Sequence, residues 1–334
     1  MGKRFLREIV SPFQTLTASA DITPVDLPVN PTTHYLLTLQ GTQVTETAAG
    51  LYSALADFMN TITALSVRHK GEQIIGGSLT DVAVLNARVA GLHPAGVKFS
   101  DDLAKVRSVT FPLSFSRRAF WHEEAFPATQ RGNLRFFMTA AALQASFSAV
   151  SWQLEAVQLI EDNPTRYLKY VTNTRQVTVS GQFDAPLPIG NPYAGILLFD
   201  PEPLATDAAA YIWGQVKLLK DDVEQYYVLS DWESLTGSMN VPWFDPYLLF
   251  DHRHTENLAA AYAQFANTGP QKFDIDESPS RYGYMDFDPL QDGSYLMETD
   301  GAADLKLRGF ADAGATFTAT ARYLPVELVS VAVK

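Results

Sequence analysis

Apolar and polar residues alternate at every second position along much of this 334-residue chain. Leu16, Ala18, Ala20 and Ile22 alternate with Thr17, Ser19 and Asp21. Val109, Phe111, Leu113 and Phe115 alternate with Thr110, Pro112 and Ser114, and Val150, Trp152, Leu154 and Ala156 with Ser151, Gln153 and Glu155. The same holds for Val177, Val179 and Phe183, and for Phe317, Ala319, Ala321 and Tyr323. A period of two gives each strand one apolar and one polar face, the signature of antiparallel sheets packed face to face. Pro112 donates no ladder hydrogen bond, so it predicts an edge or bulge position. The uncharged stretch from Phe136 to Leu154 approaches the length of a membrane span. Gln144, Ser146, Ser148, Ser151 and Gln153 interrupt it, and its second half reads as a strand.

Helical spacing is sparse. Leu51, Leu55, Phe58, Ile62 and Leu65 follow a 4-3-4-3 pattern whose last residues are expected to leave the helix for a strand. Asp81 is placed to cap a short helix carrying Val82, Leu85 and Val89, and Thr255 another carrying Leu258, Tyr262 and Phe265.

The two halves of the chain resemble each other. Leu27-Pro28-Val29-Asn30-Pro31 leads into the apolar run Tyr35 to Leu39; Leu187-Pro188-Ile189-Gly190-Asn191-Pro192 leads into Gly195 to Phe199. Glu72-Gln73-Ile74-Ile75 matches Glu224-Gln225-Tyr226-Tyr227, and Ser146-Phe147-Ser148-Ala149 matches Thr316-Phe317-Thr318-Ala319. The three pairs keep the same order, which points to duplication. The length exceeds what one hydrophobic core serves, roughly 250–300 residues. The expected organisation is an arm over residues 1–12, a first domain over 13–162 and a second over 163–334. The boundary falls in the polar turn Glu161-Asp162-Asn163-Pro164, and each half suffices for an eight-stranded sandwich.

Composition narrows the functional classes. A formal charge of −12, from 37 acidic and 25 basic residues, disfavours direct contact with nucleic acid. The absence of cysteine excludes disulfides, thiolate catalysis and zinc–sulfur sites. Residues 1–10, MGKRFLREIV, lack the apolar core of a secretory signal, and Leu6 stands where a myristoylation motif wants Ser or Thr.

Candidate chemistry is thin. His252 and His254 would share a face of a strand, as a metal site requires, yet Glu256 comes too early for a cupin pattern and Asp251 can pair with Arg253. Asp274, Asp276 and Glu277, near Asp286, Asp288 and Asp292, offer the hard oxygen ligands calcium takes, though Phe273 to Asp276 also reads as a plain strand. Aromatic residues at 12% allow a carbohydrate-binding or carbohydrate-active sandwich, but they are scattered along strands as core residues are. Phosphate-loop, dinucleotide, nucleophile-elbow and zinc-protease motifs are absent. Lys3, Arg4 and Arg7 give local positive charge in an acidic chain, and Phe5, Leu6, Ile9 and Val10 would form an apolar face if the segment were helical.

The tandem sandwiches, the basic arm, the run Val25 to Val29 leading into His34 to Leu39, the stretch Leu65 to Lys70, the second-half run Leu187 to Leu235 and the closing pair Asp304 to Leu328 together resemble the double jelly-roll major capsid proteins of membrane-containing icosahedral viruses, the corticovirus type in particular. The likeness spans most of the chain without a short signature. The long first-half loop Gly41 to Thr61 and the extra second-half helix Thr255 to Asn267 depart from strict equivalence of the halves. The resemblance implies an all-β fold of two tandem eight-stranded jelly rolls and a non-enzymatic bacteriophage virion protein. It implies homotrimers that tile a shell assembled in the host cytoplasm, with neighbouring trimers, penton and minor membrane proteins as partners. It also implies that the arm bearing Lys3, Arg4, Phe5 and Arg7 faces an internal membrane.

Overall fold

The computed structural model describes residues 4–44, 55–98, 106–201, 210–240, 281–313 and 320–331. The chain divides into two units, the first running through Leu168 and the second from Lys169, with Ser330 and Val331 assigned to the first.

In the first unit the elements are β1 (Arg4–Thr15), β2 (Val25–Asp26), β3 (Thr32–Gln43), α1 (Leu55–Asn60), β4 (Ile62–His69), β5 (Glu72–Gly77), α2 (Leu79–Ala90), β6 (Ala95–Lys98), β7 (Val106–Ser114), β8 (Leu134–Ala140) and β9 (Phe147–Ile160). The chain continues through β10 (Arg166–Val171) and β11 (Asn173–Gln176) to β12 (Gly181–Pro186), β13 (Tyr193–Phe199), β14 (Gln215–Lys220), β15 (Val223–Glu224), β16 (Ser230–Asp231), α3 (Trp232–Asn240), β17 (Tyr282–Asp286), β18 (Leu305–Ala311) and β19 (Thr320–Ser330).

Both units wind their strands alike. The first strand (β1; β11 in the second unit) pairs the last (β9; β19). The third (β3; β13) lies between the last and the sixth (β7; β17). In the facing sheet the second strand (β2; β12) pairs the seventh (β8; β18). The fourth (β4; β14) lies between the seventh and the fifth (β5; β15 with β16). Two four-stranded antiparallel sheets wound in this order are a jelly roll, so the chain holds two in tandem; β6 is an addition outside β7.

The period of two places the cores. In the first unit Tyr35, Leu37 and Leu39 of β3, Phe111 and Leu113 of β7, and Trp152 and Leu154 of β9 are buried, as are Phe136 and Met138 of β8 and Leu65 and Val67 of β4 from the other sheet. Phe136 and Trp152 meet across the two sheets at 6.3 Å. The second unit packs Ile196, Leu198, Trp213, Val216, Leu218, Trp232, Leu307 and Tyr323 into one cluster. Each such side chain contributes roughly 1.5–3 kcal/mol on burial. Pro112 sits past the end of β6, where β3 is the strand that pairs it, so its missing donor costs no ladder bond.

Several sequence expectations shift. Ser78 caps α2, its hydroxyl accepting from Asp81 N at 3.1 Å, while Asp81 lies in the first turn; Gly91 ends the helix at φ 65°. Val82, Leu85 and Val89 are buried on it as expected. The spacing through Leu55 and Phe58 gives α1, followed by β4 from Ile62. Leu16 to Ile22 is no strand: it crosses between the sheets in irregular backbone held by bonds such as Ser19 N to Ala141 O, 2.8 Å, with Ser19 at φ 55°. Val177 to Ser180 is outside the strands, and Val179 is exposed. The stretch Phe136 to Leu154 belongs to β8 and β9, and no helix among the described residues is long and apolar enough to cross a membrane. The segment expected as an arm over residues 1–12 is, from Arg4 on, the first strand of the first jelly roll, paired from Arg4↔Ile160 to Thr15↔Ser151. An extended strand puts Phe5, Arg7 and Ile9 on one side and Leu6 and Glu8 on the other, so the single apolar helix face does not exist.

Candidate functional site

The motif that repeats in sequence is a repeated clamp in three dimensions. Leu27 N donates to Leu134 O at 3.0 Å, and Leu187 N to Leu305 O at 2.9 Å. After the prolines, Leu159 N donates to Pro31 O at 2.7 Å and Leu328 N to Pro192 O at 2.8 Å. Thr32 exchanges both backbone bonds with Phe126, and Tyr193 does so with Met297. Proline suits the crossing because it fixes φ and brings no N–H to satisfy where the chain passes from one sheet to the other. Side chains complete the clamp. Asn30 Nδ2 donates to Gln158 Oε1 at 2.8 Å, and Gln158 Nε2 donates on to Glu8 Oε2 of β1 at 2.7 Å. In the second unit Asn191 Nδ2 donates to Glu327 Oε2 at 2.6 Å, with Lys169 Nζ of β10 3.8 Å from Glu327 Oε1. Glu8 and Lys169, Asn30 and Asn191, Pro31 and Pro192 all stand at a constant spacing of 161 residues. That spacing equates β1 with β10 and β11 taken together. The pairing irregularity at Ser11 of β1 falls where Thr172 separates β10 from β11.

Beside the clamp of the first unit, the connection from β7 to β8 is pinned by a buried ion cluster. Glu124 is fully buried. Its Oε1 accepts from Arg117 Nε at 2.9 Å and Nη2 at 2.6 Å, and lies 3.0 Å from Arg166 Nε; its Oε2 accepts from Arg117 N at 2.9 Å. The guanidinium carbons of Arg118, Arg166 and Arg117 lie 4.8, 5.5 and 5.6 Å from the Trp121 ring centre. A desolvated carboxylate persists only with its lone pairs used in this way. The cluster gave no sequence signal: Arg117-Arg118 and Glu123-Glu124 look like solvated loop charges until the fold brings Arg166 to them.

His34 of β3 is buried in the same unit. Its ring meets Phe120 edge-on at 4.8 Å, Phe120 meets Phe5 at 5.5 Å, and Nδ1 is 3.0 Å from Thr33 Oγ1. Burial first, and the positive Arg7 second, hold its pKa down to about 4.

The expected site residues divide. Arg4, Phe5 and Arg7 come together on β1, with Arg7 Nε donating to Glu155 of β9. Lys3, the calcium candidates Asp274, Asp276 and Glu277, and His252, His254 and the Thr255 helix lie outside the described residues. Among the described residues no group of three or more His, Asp or Glu is placed to hold a metal. Asp286, Asp288 and Asp292 instead shape their own loop: Asp286 Oδ1 accepts from Asp288 N, the Asp288 carboxylate from Gly293 N, and Asp292 Oδ1 from Ser294 N.

Among the described residues, two of the sheet-edge strands, β1 and β15, stand out for the apolar side chains they expose. Apolar side chains are exposed at Phe5, Leu6, Ile9 and Phe13 on β1 and at Val223, Tyr226, Val228 and Leu229 along β15 and β16. No family model and no curated protein matches the sequence. Solved structures match over nearly the whole chain. The major capsid protein P2 of bacteriophage PM2 aligns at TM-score 0.58 and 12% identity, covering 98% of both chains. A chain from the structure of Sulfolobus Turreted Icosahedral Virus aligns at 0.65 and 14%, covering 98% of this chain and 91% of that one. The Faustovirus major capsid protein aligns at 0.55 and 8%, covering 98% and 90%. The protein is thus an all-β double jelly roll. At these identities it is the fold that it shares with those capsid proteins.

Proposed function

We propose that the protein is the major capsid protein of a membrane-containing icosahedral virus, a structural protein without catalysis. Three copies would form a pseudo-hexagonal tile, since two equivalent barrels per chain make six per trimer. The observation that carries the reading is the repeated barrel: the same winding and the same clamp twice in one chain, in a two-barrel fold that covers 98% of both this chain and the PM2 capsid protein. The corticovirus type is the variety that the sequence resemblance implies. Neighbouring trimers, penton proteins, minor membrane proteins and the internal membrane would then be its surroundings in the virion shell, with the residues from Lys3 to Arg7 nearest the lipid.

Light scattering on the purified protein should give the mass of three chains, and negative-stain images should show hexagonal particles. A protein that stays monomeric over a wide concentration range overturns the proposal. Stable trimers of this kind bury interfaces of a few thousand Å², so the trimer should persist at micromolar chain concentration.

A further inference from the structure

The spacing that equates Glu8 with Lys169 also equates Ile9 of β1 with Tyr170 of β10. Ile9 is 56% exposed and Tyr170 1%. On the fifth strand, the hairpin register (His69↔Glu72 in β4–β5, Lys220↔Val223 in β14–β15) matches Ile75 of β5 with Tyr226, between β15 and β16; Ile75 is 0% exposed and Tyr226 55%. The first strand is therefore bare only in the first unit, and the fifth only in the second. Phe5 and Leu6 extend the bare surface on β1, and Val228 and Leu229 extend it in the second unit. Both are sheet edges among the described residues: β9 is the one strand beside β1, and β14 the one beside β15 and β16. Apolar edge strands left open are templates for pairing with another chain, and exposed apolar clusters mark contact sites.

The charges of the two edges complement each other. β1 brings Arg4, Arg7 and Glu8, with Arg7 paired to Glu155 and Glu8 to Gln158, while the other edge brings Asp222 and Glu224, paired to Lys306 and Lys217 but with side chains still 76% and 41% exposed.

We infer that β1 of one copy packs against the Val223–Leu229 edge of a second copy, head to tail. A contact between two different surfaces is heterologous and generates a ring when its rotation closes. Three copies, each offering one edge of each kind, would leave neither bare. The inference rests on the trimeric reading and names the surfaces that would make the trimer.

The chain has no cysteine, so introduced thiols report cleanly. A protein carrying both Ile9→Cys and Val228→Cys, oxidised under mild conditions, should run as a covalent trimer on a denaturing gel, and either single variant should run as a monomer. Covalent dimers from Ile9→Cys alone would show β1 pairing with itself and overturn the inference. A double variant that has the mass of a trimer in solution but forms no covalent oligomer also overturns it, and leaves the capsid reading standing. A monomer by mass overturns both. As a second measure, Ile9→Asp should keep the native circular dichroism and weaken association at least about tenfold, the cost of desolvating one charge; unchanged association would place the contact elsewhere.

Discussion

The two jelly rolls close the same crossing with opposite chemistry. In the first, a carboxylate on the first strand, Glu8, accepts from the amide of Gln158, which accepts from Asn30. In the second, a cation on the first strand, Lys169, faces the carboxylate of Glu327, which accepts from Asn191. The backbone partners are the same in both units, and the asparagine donor is the same; only the relay between last and first strand has its polarity reversed. The jelly-roll turn thus constrains where donors and acceptors stand and leaves their charge free. The first unit adds what the second lacks at the matching places: the Glu124 cluster in the connection between sixth and seventh strands, and a buried histidine at the position that Gly195 fills.

That contrast can be broken or sharpened at three points. The largest effect should come from Glu124→Ala, which leaves Arg117 buried without its partner and should cost about 3–5 kcal/mol. Urea unfolding measures the loss, and hydrogen exchange should localise it to residues 106–168; loss spread evenly over both units would dissolve the contrast.

Next comes His34. Its folded pKa, about 4, lies below the unfolded value of 6.5, so the unfolded chain takes up the proton first. Its contribution is complete above pH 6.5, begins to fall below that, and is lost by about pH 4, an amount of about 3 kcal/mol. Carboxylates titrate over part of the same range, so the measure is the native protein against His34→Asn, which keeps a polar group beside Thr33 Oγ1. Stability curves that fall in parallel between pH 6.5 and 4 would remove His34 from the account.

The smallest effect compares the two clamps. Asn191→Ala removes a bond to a carboxylate and should cost about 1.5–3 kcal/mol, while Asn30→Ala removes a neutral one and should cost about 0.5–1.5 kcal/mol. Adding Glu327→Gln should bring the two losses together. Equal losses without it would mean that the exchange of charge has no energetic consequence.

Much of the fold was legible because the alternation in β3 and β8 reflects one buried and one more open face, and the same apolar period runs through β7 and β9 although parts of both their faces are buried. The pair Leu27/Leu187 marked equivalent places, while Glu72/Glu224 found the right hairpin one residue out of register, since His69↔Glu72 answers Lys220↔Val223; Phe317 lies outside the described residues. What failed did so for physical reasons. Leu16 to Ile22 alternates, but alternation reports side-chain direction and not the length of a ladder; there the chain is crossing between sheets and makes only an isolated bridge, Asp21 to Thr139. From Arg4 to Val10 apolar residues occur on both faces because neither face is covered, so the period of two is hidden and the segment looks like an arm. The clamp was half visible: Asn30 and Asn191 stand in the motif, but Gln158 and Glu327 are far along the chain and unremarkable where they stand.

The pairing of Arg4 with Ile160 also sets an order of events during synthesis. β1 leaves the ribosome well before β9, yet it has no place to dock until β9 has been made, about 140 residues later. Loops that long close slowly, and folding dominated by such distant pairings is slow compared with local folding. Until then an apolar, basic amino-terminal segment waits unpaired, at the stage when nascent chains are most prone to aggregate. Expression at reduced temperature or with chaperones in excess should therefore raise the soluble yield of the chain.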